Sequence, residues 1–170
     1  MTVLPDVFEV GGIYSKKSGE ENVKSRTAQD LAAAFPNFNV ELLPPEGPWY
    51  VSGQREAAEA AHARAAAVVS RLLSPSFCQQ HEDETLVMVS HQDFLDLMLR
   101  RLVGSSSEGF SRLGPRLVFN ISNTATSMIT IGHSSAADEP AACGTARIEW
   151  IARDEHLRKG DAFGGPTSTL

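Results

Sequence analysis

The sequence predicts an α/β fold with a mixed sheet, and three observations carry this prediction. Helical and extended patterns alternate along the chain, a short continuous apolar run lies between two helical segments, and the hydrophobic period changes to two in the last third. A length of 170 residues suits one domain with its own core, which we expect over residues 1–157. Residues 158–170 lack any hydrophobic period and are expected to be a disordered tail.

Two helices are predicted in the first half of the chain. The first covers residues 24–35 and ends before Pro36, because proline disfavours helical backbone in the residue that precedes it. The second covers residues 54–73, where alanine, valine and leucine recur at helical spacing. Ser52 suits the N-cap of this second helix, and Glu56 lies near the positive end of its dipole.

The apolar run of residues 85–90 (TLVMVS) predicts a short strand that is buried on both faces. It leads through His91 into a predicted helix over residues 94–103. Two later segments, 125–131 and 145–152, read as strands that a long loop connects. Helices that alternate with strands, followed by a late strand pair, are typical of a layered α/β sheet.

Composition excludes several classes of function. The formal net charge is −6, and broad nucleic-acid binding needs a basic face, so we expect no nucleic-acid partner. No apolar run approaches the roughly 20 residues of a membrane-spanning helix, and the N-terminus lacks the features of a secretory signal. The two cysteines have no metal-ligand spacing, and the acidic cluster at residues 81–84 is expected to be a solvated loop. We therefore expect a cytoplasmic protein without a metal site.

The step V-S-H-Q-D-F at residues 89–94 is the most informative feature for function. It places His91 at the carboxyl end of the predicted strand, which is where ligands bind in open α/β sheets. The helix that follows offers free backbone N–H groups and a dipole that favours phosphate. An imidazole there hydrogen-bonds a phosphate oxygen or, when protonated, stabilises a transferring phosphoryl group. The residues alone also allow a histidine that only caps the helix.

The segment F-E-V-G-G-I-Y at residues 8–14 is the second candidate. Glu9 precedes two glycines, which let the backbone turn and approach a ligand closely. A carboxyl in such a place suits a general acid if burial raises its pKa. A solvated turn glutamate is the other interpretation, and the local sequence leaves both open.

Taken together, these segments resemble the histidine phosphatase superfamily, which includes the cofactor-dependent phosphoglycerate mutases. P-D-V-F-E-V-G-G-I-Y resembles the segment that carries the catalytic glutamate, and L-V-M-V-S-H-Q-D-F resembles the strand and the second histidine. E-A-A-E-A-A-H-A-R-A-A-A-V-V-S-R-L-L resembles the long helix, and I-S-N-T-A-T-S-M-I-T-I with A-R-I-E-W-I-A-R-D-E-H-L resembles the closing strand pair. The resemblance covers about residues 5–157. It implies a three-layer α/β/α fold with a mixed, mostly parallel sheet.

The resemblance also implies roles for three residues. In this family a histidine of an R-H-G motif takes the phosphoryl group, two arginines and a second histidine hold it, and a glutamate protonates the leaving oxygen. His91 would then be the second histidine, Glu9 the proton donor, and Gln92 a backbone contact to substrate at the helix start. A small phosphorylated substrate is implied, without a metal or other cofactor. Phosphatase and mutase activity both stay open, as does the identity of the substrate.

One departure from the family changes these expectations. No R-H-G occurs in the sequence, so the resemblance implies an incomplete domain over residues 1–157, without its N-terminal part and with weak or no phosphoryl transfer. The alternative is a non-catalytic module that binds a phosphorylated ligand or a partner. In the family, the R-H-G strand lies beside the strand that ends at the second histidine. We therefore expect residues 86–89 to form an unpaired edge that lowers solubility and permits self-association.

Overall fold

The structure, a computed structural model, describes residues 1–12, 23–52, 55–103, 119, 121–132 and 145–154. The helices are α1 (Ala28–Ala34), α2 (Ala58–Leu72), α3 (Pro75–Gln80) and α4 (Gln92–Leu102). The strands are β1 (Val23–Lys24), β2 (Val51–Ser52), β3 (Thr126–Gly132) and β4 (Thr145–Arg153). The chain divides into two compact units, which are Met1–Val68 with Val89–Phe94, and Val69–Met88 with Leu95–Leu170. The predicted tail lies outside the described residues, so it stays a prediction.

α1 begins later than predicted because a capping box sets its first residue. The Thr27 hydroxyl accepts the Asp30 N–H at 3.0 Å, and the Asp30 carboxylate accepts the Thr27 N–H at 3.1 Å. Hydrogen bonds from Thr27 hold the pKa of Asp30 below its ordinary value. Upstream, Val23–Lys24 forms β1 and pairs antiparallel with β2. The predicted start of the helix at residue 24 is therefore wrong.

α2 also begins later than predicted, since Ser52 lies in β2 and does not cap the helix. The predicted helical spacing itself is confirmed, because Ala61, Ala65 and Val68 are buried along one face. A short helix that the hydrophobic pattern did not reveal, α3, follows. Ser74 caps α3 by accepting the Phe77 N–H at 3.3 Å, and a proline occupies its first turn.

Residues 85–90 belong to no described helix or strand, so the predicted buried strand is wrong. Val87 is 85% exposed and Val89 is 79% exposed, and Leu86 is exposed as well. Apolar side chains favour burial, but they are buried only where a neighbouring helix or strand covers them. No described helix or strand covers Leu86, Val87 and Val89, so Leu86–Val89 is a largely exposed apolar segment in which Met88 is half-buried.

The helix predicted over residues 94–103 is confirmed as α4, which begins two residues earlier, at Gln92, and ends at Leu102. Leu97, Met98 and Leu99 are buried in the second unit. Two charged side chains on the same helix, Asp96 and Arg100, are also buried and form an ion pair. The Asp96 carboxylate also accepts the backbone N–H of Phe119 at 2.7 Å, so this buried charge is paired and hydrogen-bonded.

The predicted late strand pair is confirmed as an antiparallel hairpin of β3 and β4. Ile129 lies opposite Ile148, and Ile131 lies opposite Ala146, so apolar side chains pair across the strands. Both described sheets consist of two antiparallel strands, and the expected mostly parallel sheet is not found among the described residues. Of the helices described, none has the length and apolar character to cross a membrane.

Candidate functional site

Glu9 lies in a tight turn that two glycines make possible. The Glu9 carbonyl accepts the Gly12 N–H at 3.1 Å, and its carboxylate Oε1 accepts the N–H of Val10 at 2.7 Å. Gly11 and Gly12 have φ values of 93° and 75°, in the left-handed region that other residues rarely adopt. At Gly12 there is also no room for a side chain, because a Cβ atom would lie 2.6 Å from Cζ of Tyr50.

His91 directly precedes α4 and lies beside this turn. The Ser90 hydroxyl donates to the Val7 carbonyl at 2.6 Å, a contact between residues 83 positions apart. His91 Nδ1 is 3.9 Å from Glu9 Oε2, with the side chains 58% and 37% exposed. The structure therefore brings together the two residues that the sequence singled out. Gln92, the third predicted residue, is the first residue of α4 and is exposed.

The contact between Glu9 and His91 does little for stability. Ion pairs with this much exposure contribute about 0–1 kcal/mol, because water screens the charges and ordering two side chains costs entropy. Both side chains remain accessible to a ligand. What the geometry provides is a carboxyl group and an imidazole close enough to act on the same bound oxygen atom.

The start of α4 adds donors and one opposing charge. The first N–H groups of a helix have no partner within the helix and favour anions, and α4 is 11 residues long. Asp93 lies in its first turn and is exposed. Its carboxylate weakens the attraction of this helix end for an anion. An anion at this helix end would therefore meet both the favourable N–H groups and the unfavourable charge of Asp93.

An ion pair that sequence analysis missed lies under the Glu9 turn. Arg64 donates from Nε to Glu56 Oε1 at 2.9 Å and from Nη2 to Oε2 at 2.7 Å, and both side chains are only 11% exposed. Nη1 of Arg64 donates to the carbonyls of Asp6 and Phe8 at 3.0 and 2.9 Å. The available signal was the position of Arg64 three residues after Ala61 and four before Val68, which places it on the apolar face of α2.

Aromatic side chains enclose the Arg64 guanidinium. Its central carbon lies 3.6 Å from the ring centroid of Phe8 and 4.3 Å from that of Phe94, which is fully buried. Phe8 in turn packs edge-on against Tyr50, with 4.8 Å between the ring centroids, and lies 5.9 Å from Trp49. With four hydrogen bonds already made, this guanidinium holds protein groups in place and is not arranged to clamp a phosphate.

The remaining predicted or excluded candidates form no second site in the part of the chain that the structure describes. His81 Nδ1 lies 2.9 Å from the carboxylate of Glu84, and its ring packs against Phe77. No three histidine, cysteine, aspartate or glutamate side chains among the described residues are arranged to hold a metal ion. Cys78 is a free, half-buried thiol, and Cys143 lies outside the described residues.

Comparison with known families supplies an independent finding. The family model described as the histidine phosphatase superfamily (branch 1) matches residues 21–137, which is more than half of the chain. The match includes His91, Gln92 and Arg64, and Glu9 precedes it. No match was found among curated proteins, and none among solved structures.

Proposed function

This chain belongs to the histidine phosphatase superfamily, and from that premise we propose that Glu9 and His91 form part of a site for a small phosphomonoester. Family membership supports phosphoryl-transfer chemistry in general and an α/β fold. The single observation that carries the proposal is the 3.9 Å separation of Glu9 Oε2 and His91 Nδ1. Two residues far apart in sequence, each singled out for this chemistry, lie side by side on an accessible surface.

The proposed roles follow from the chemistry of the two groups. His91 donates a hydrogen bond to a phosphoryl oxygen and, when protonated, offsets the charge that develops during transfer. Glu9 gives a proton to the leaving oxygen, which is the role of a general acid. The backbone N–H of Gln92 contributes a donor at the start of α4. Substrate binding needs both exposed side chains to turn towards the same oxygen-rich group.

The level of activity is a separate proposal. Residues 1–170 contain no R-H-G motif, and the family reaction requires a histidine that accepts the phosphoryl group. We propose that hydrolysis or mutase-type transfer through a phosphohistidine is weak or absent in this chain. The alternative candidate is a module that binds a phosphorylated ligand without turning it over. We also propose that the complete family domain has a three-layer α/β/α fold with a mostly parallel sheet. A cytoplasmic location is proposed as well.

The test compares residues 1–170 with three substitutions. His91→Ala and Glu9→Gln alter the proposed site, and His81→Ala removes a histidine that pairs with Glu84 elsewhere. For each protein we measure the hydrolysis of p-nitrophenyl phosphate. We also measure the binding of inorganic phosphate by titration calorimetry. We expect phosphate binding that His91→Ala weakens at least fivefold and His81→Ala leaves unchanged.

The outcomes separate the two candidates. Hydrolysis that is lost in both site variants and kept in His81→Ala would establish a working phosphatase. Phosphate binding without hydrolysis would support the binding module. If phosphate does not bind, or binds equally well to His91→Ala, the proposed site is wrong.

A further inference from the structure

We propose that Arg64 is a positioning residue that sets the relative placement of Glu9 and His91. The inference rests on the proposed function, because it concerns the geometry of the same site. Arg64 touches neither side chain of the pair in any described contact, so it would act through the backbone and rings that carry them. Three sets of contacts support this role.

The first set holds the turn from the side before Glu9. Arg64 Nη1 donates to the carbonyls of Asp6 and Phe8, at 3.0 and 2.9 Å. The carbonyl between these two, that of Val7, accepts the hydroxyl of Ser90 at 2.6 Å. Three consecutive carbonyls before Glu9 are therefore each fixed by a side chain, and one of those side chains immediately precedes His91.

The second set holds the turn from the side after Glu9. The Glu56 carboxylate, which Arg64 grips with two hydrogen bonds, accepts the N–H of Gly11 at 3.3 Å. The backbone N–H of Glu56 donates to the Gly11 carbonyl at 3.1 Å. Arg64 therefore acts on both flanks of Glu9, directly on one and through Glu56 on the other.

The third set reaches the segment of His91. The Arg64 guanidinium lies 4.3 Å from the ring centroid of Phe94, which is fully buried and three positions after His91. It also lies 3.6 Å from the ring centroid of Phe8, the neighbour of Glu9. One planar cation thus contacts a ring beside the acid and a ring on the first turn of the helix after the imidazole.

Arginine is suited to this arrangement and lysine is not. The guanidinium has donors in a rigid fork, so it can hold a carboxylate with two bonds, donate to carbonyls and stack on rings at the same time. A lysine ammonium keeps the positive charge but has no flat face and no fork. Arg64→Lys therefore separates the geometry from the charge. A purely structural role predicts lower stability only, whereas a positioning role also predicts a loosened Glu9–His91 pair.

The test reads the pair spectroscopically. The ring resonances of His91 are recorded at one fixed pH in residues 1–170, with and without Glu9→Gln. Because the Glu9 carboxylate lies 3.9 Å from Nδ1, its removal should displace these resonances. The same displacement is then measured in Arg64→Lys protein, again with and without Glu9→Gln. We expect it to be at least twofold smaller than in the wild-type background. Arg26→Lys, a change at an exposed arginine, should leave the full displacement.

Each result has a defined meaning. A full displacement in folded Arg64→Lys protein would overturn the positioning role, whatever the loss of stability. If Arg64→Lys does not fold, Glu56→Gln takes its place, since it weakens the grip of Arg64 and the contact to the Gly11 N–H. An undiminished displacement in folded Glu56→Gln protein would then overturn the role, and a reduced one would support it.

The positioning role and the proposed function can fail separately. Phosphate is titrated into the wild-type chain in the same experiment. A displacement that depends on Arg64, without a response to phosphate, would support positioning and refute the phosphate site. A shift of the His91 resonances on addition of phosphate, together with a Glu9-dependent displacement that Arg64→Lys does not reduce, would support the site and overturn the role of Arg64.

Discussion

Gly12→Ala is expected to destabilise the turn that carries Glu9 by about 2–5 kcal/mol. Alanine at position 12 must adopt the φ of +75° that Gly12 has, and this left-handed conformation costs a residue with a Cβ about 1–2 kcal/mol. The added Cβ also overlaps the hydroxyl of Tyr50 and lies 2.6 Å from its ring atom Cζ. Forcing extra atoms into a packed contact costs about 1–3 kcal/mol more, since a shift of Tyr50 would disturb its packing against Phe8.

Gly47→Ala is a matched control for this change. Gly47 has the same φ of +75°, but an added Cβ meets no atom within 4 Å. It should therefore lose only the backbone contribution, about 1–2 kcal/mol. The free energy of unfolding is measured by urea denaturation for both variants and the wild type. Equal losses in the two variants would refute the argument that the contact with Tyr50 excludes a side chain at Gly12.

Three further predictions concern buried charge, acid stability and association. Asp96→Ala should cost about 3 kcal/mol in urea unfolding, because it leaves the buried Arg100 without its carboxylate partner. Hydrogen bonds from Thr27 hold the pKa of Asp30 below its ordinary value of 3.8. The stabilisation by the Asp30 carboxylate should therefore be complete above pH 3.8 and vanish as pH falls through the lowered pKa. Thermal melts of wild type and Asp30→Asn, recorded from about pH 6 to about pH 2, should converge at the acid end. Val87→Lys should abolish self-association in sedimentation experiments, because it places a charge on the exposed apolar segment.

Each of these predictions has its own control and its own contrary result. For Asp96, the control is Arg101→Ala, a change at the exposed arginine next to Arg100, which should lower the free energy of unfolding by less than about 0.5 kcal/mol. An equally small loss in Asp96→Ala would contradict the argument that the buried ion pair stabilises the fold. For Asp30, a difference from wild type that is constant with pH would show that its charge plays no part in the cap. For Val87, a wild-type chain that stays monomeric at every concentration would show that the apolar segment does not mediate association.

Local patterns predicted those elements whose signal lies within their own sequence. The hairpin of β3 and β4 alternates polar and apolar residues, and α4 has an apolar stripe, so both were predicted with small errors at their ends. α1 was misplaced at its start because a capping box, not hydrophobicity, sets the boundary. The pair of Thr27 and Asp30, three residues apart, is the local signal that marks this N-cap.

The features that the sequence did not predict depend on contacts between segments that are far apart in the chain. Residues 85–90 have the composition of a buried strand, but composition does not state which element will cover them. The proximity of Glu9 and His91 became an expectation only through the family resemblance, since nothing local connects positions so far apart. Arg64 was missed because its partners are backbone carbonyls and a carboxylate eight positions earlier, neither of which leaves a motif.

The contact between Ser90 and Val7 closes a loop of more than 80 residues, and this has a consequence for how the site tolerates change. Closing a flexible loop costs entropy that grows only with the logarithm of its length, so doubling the length adds only about 0.6 kcal/mol. The chain between the acid and the imidazole can therefore gain or lose surface segments at small cost, provided that Arg64 and Glu56 keep their places within it. Variation in that stretch can alter what the site admits while the two reactive groups stay together.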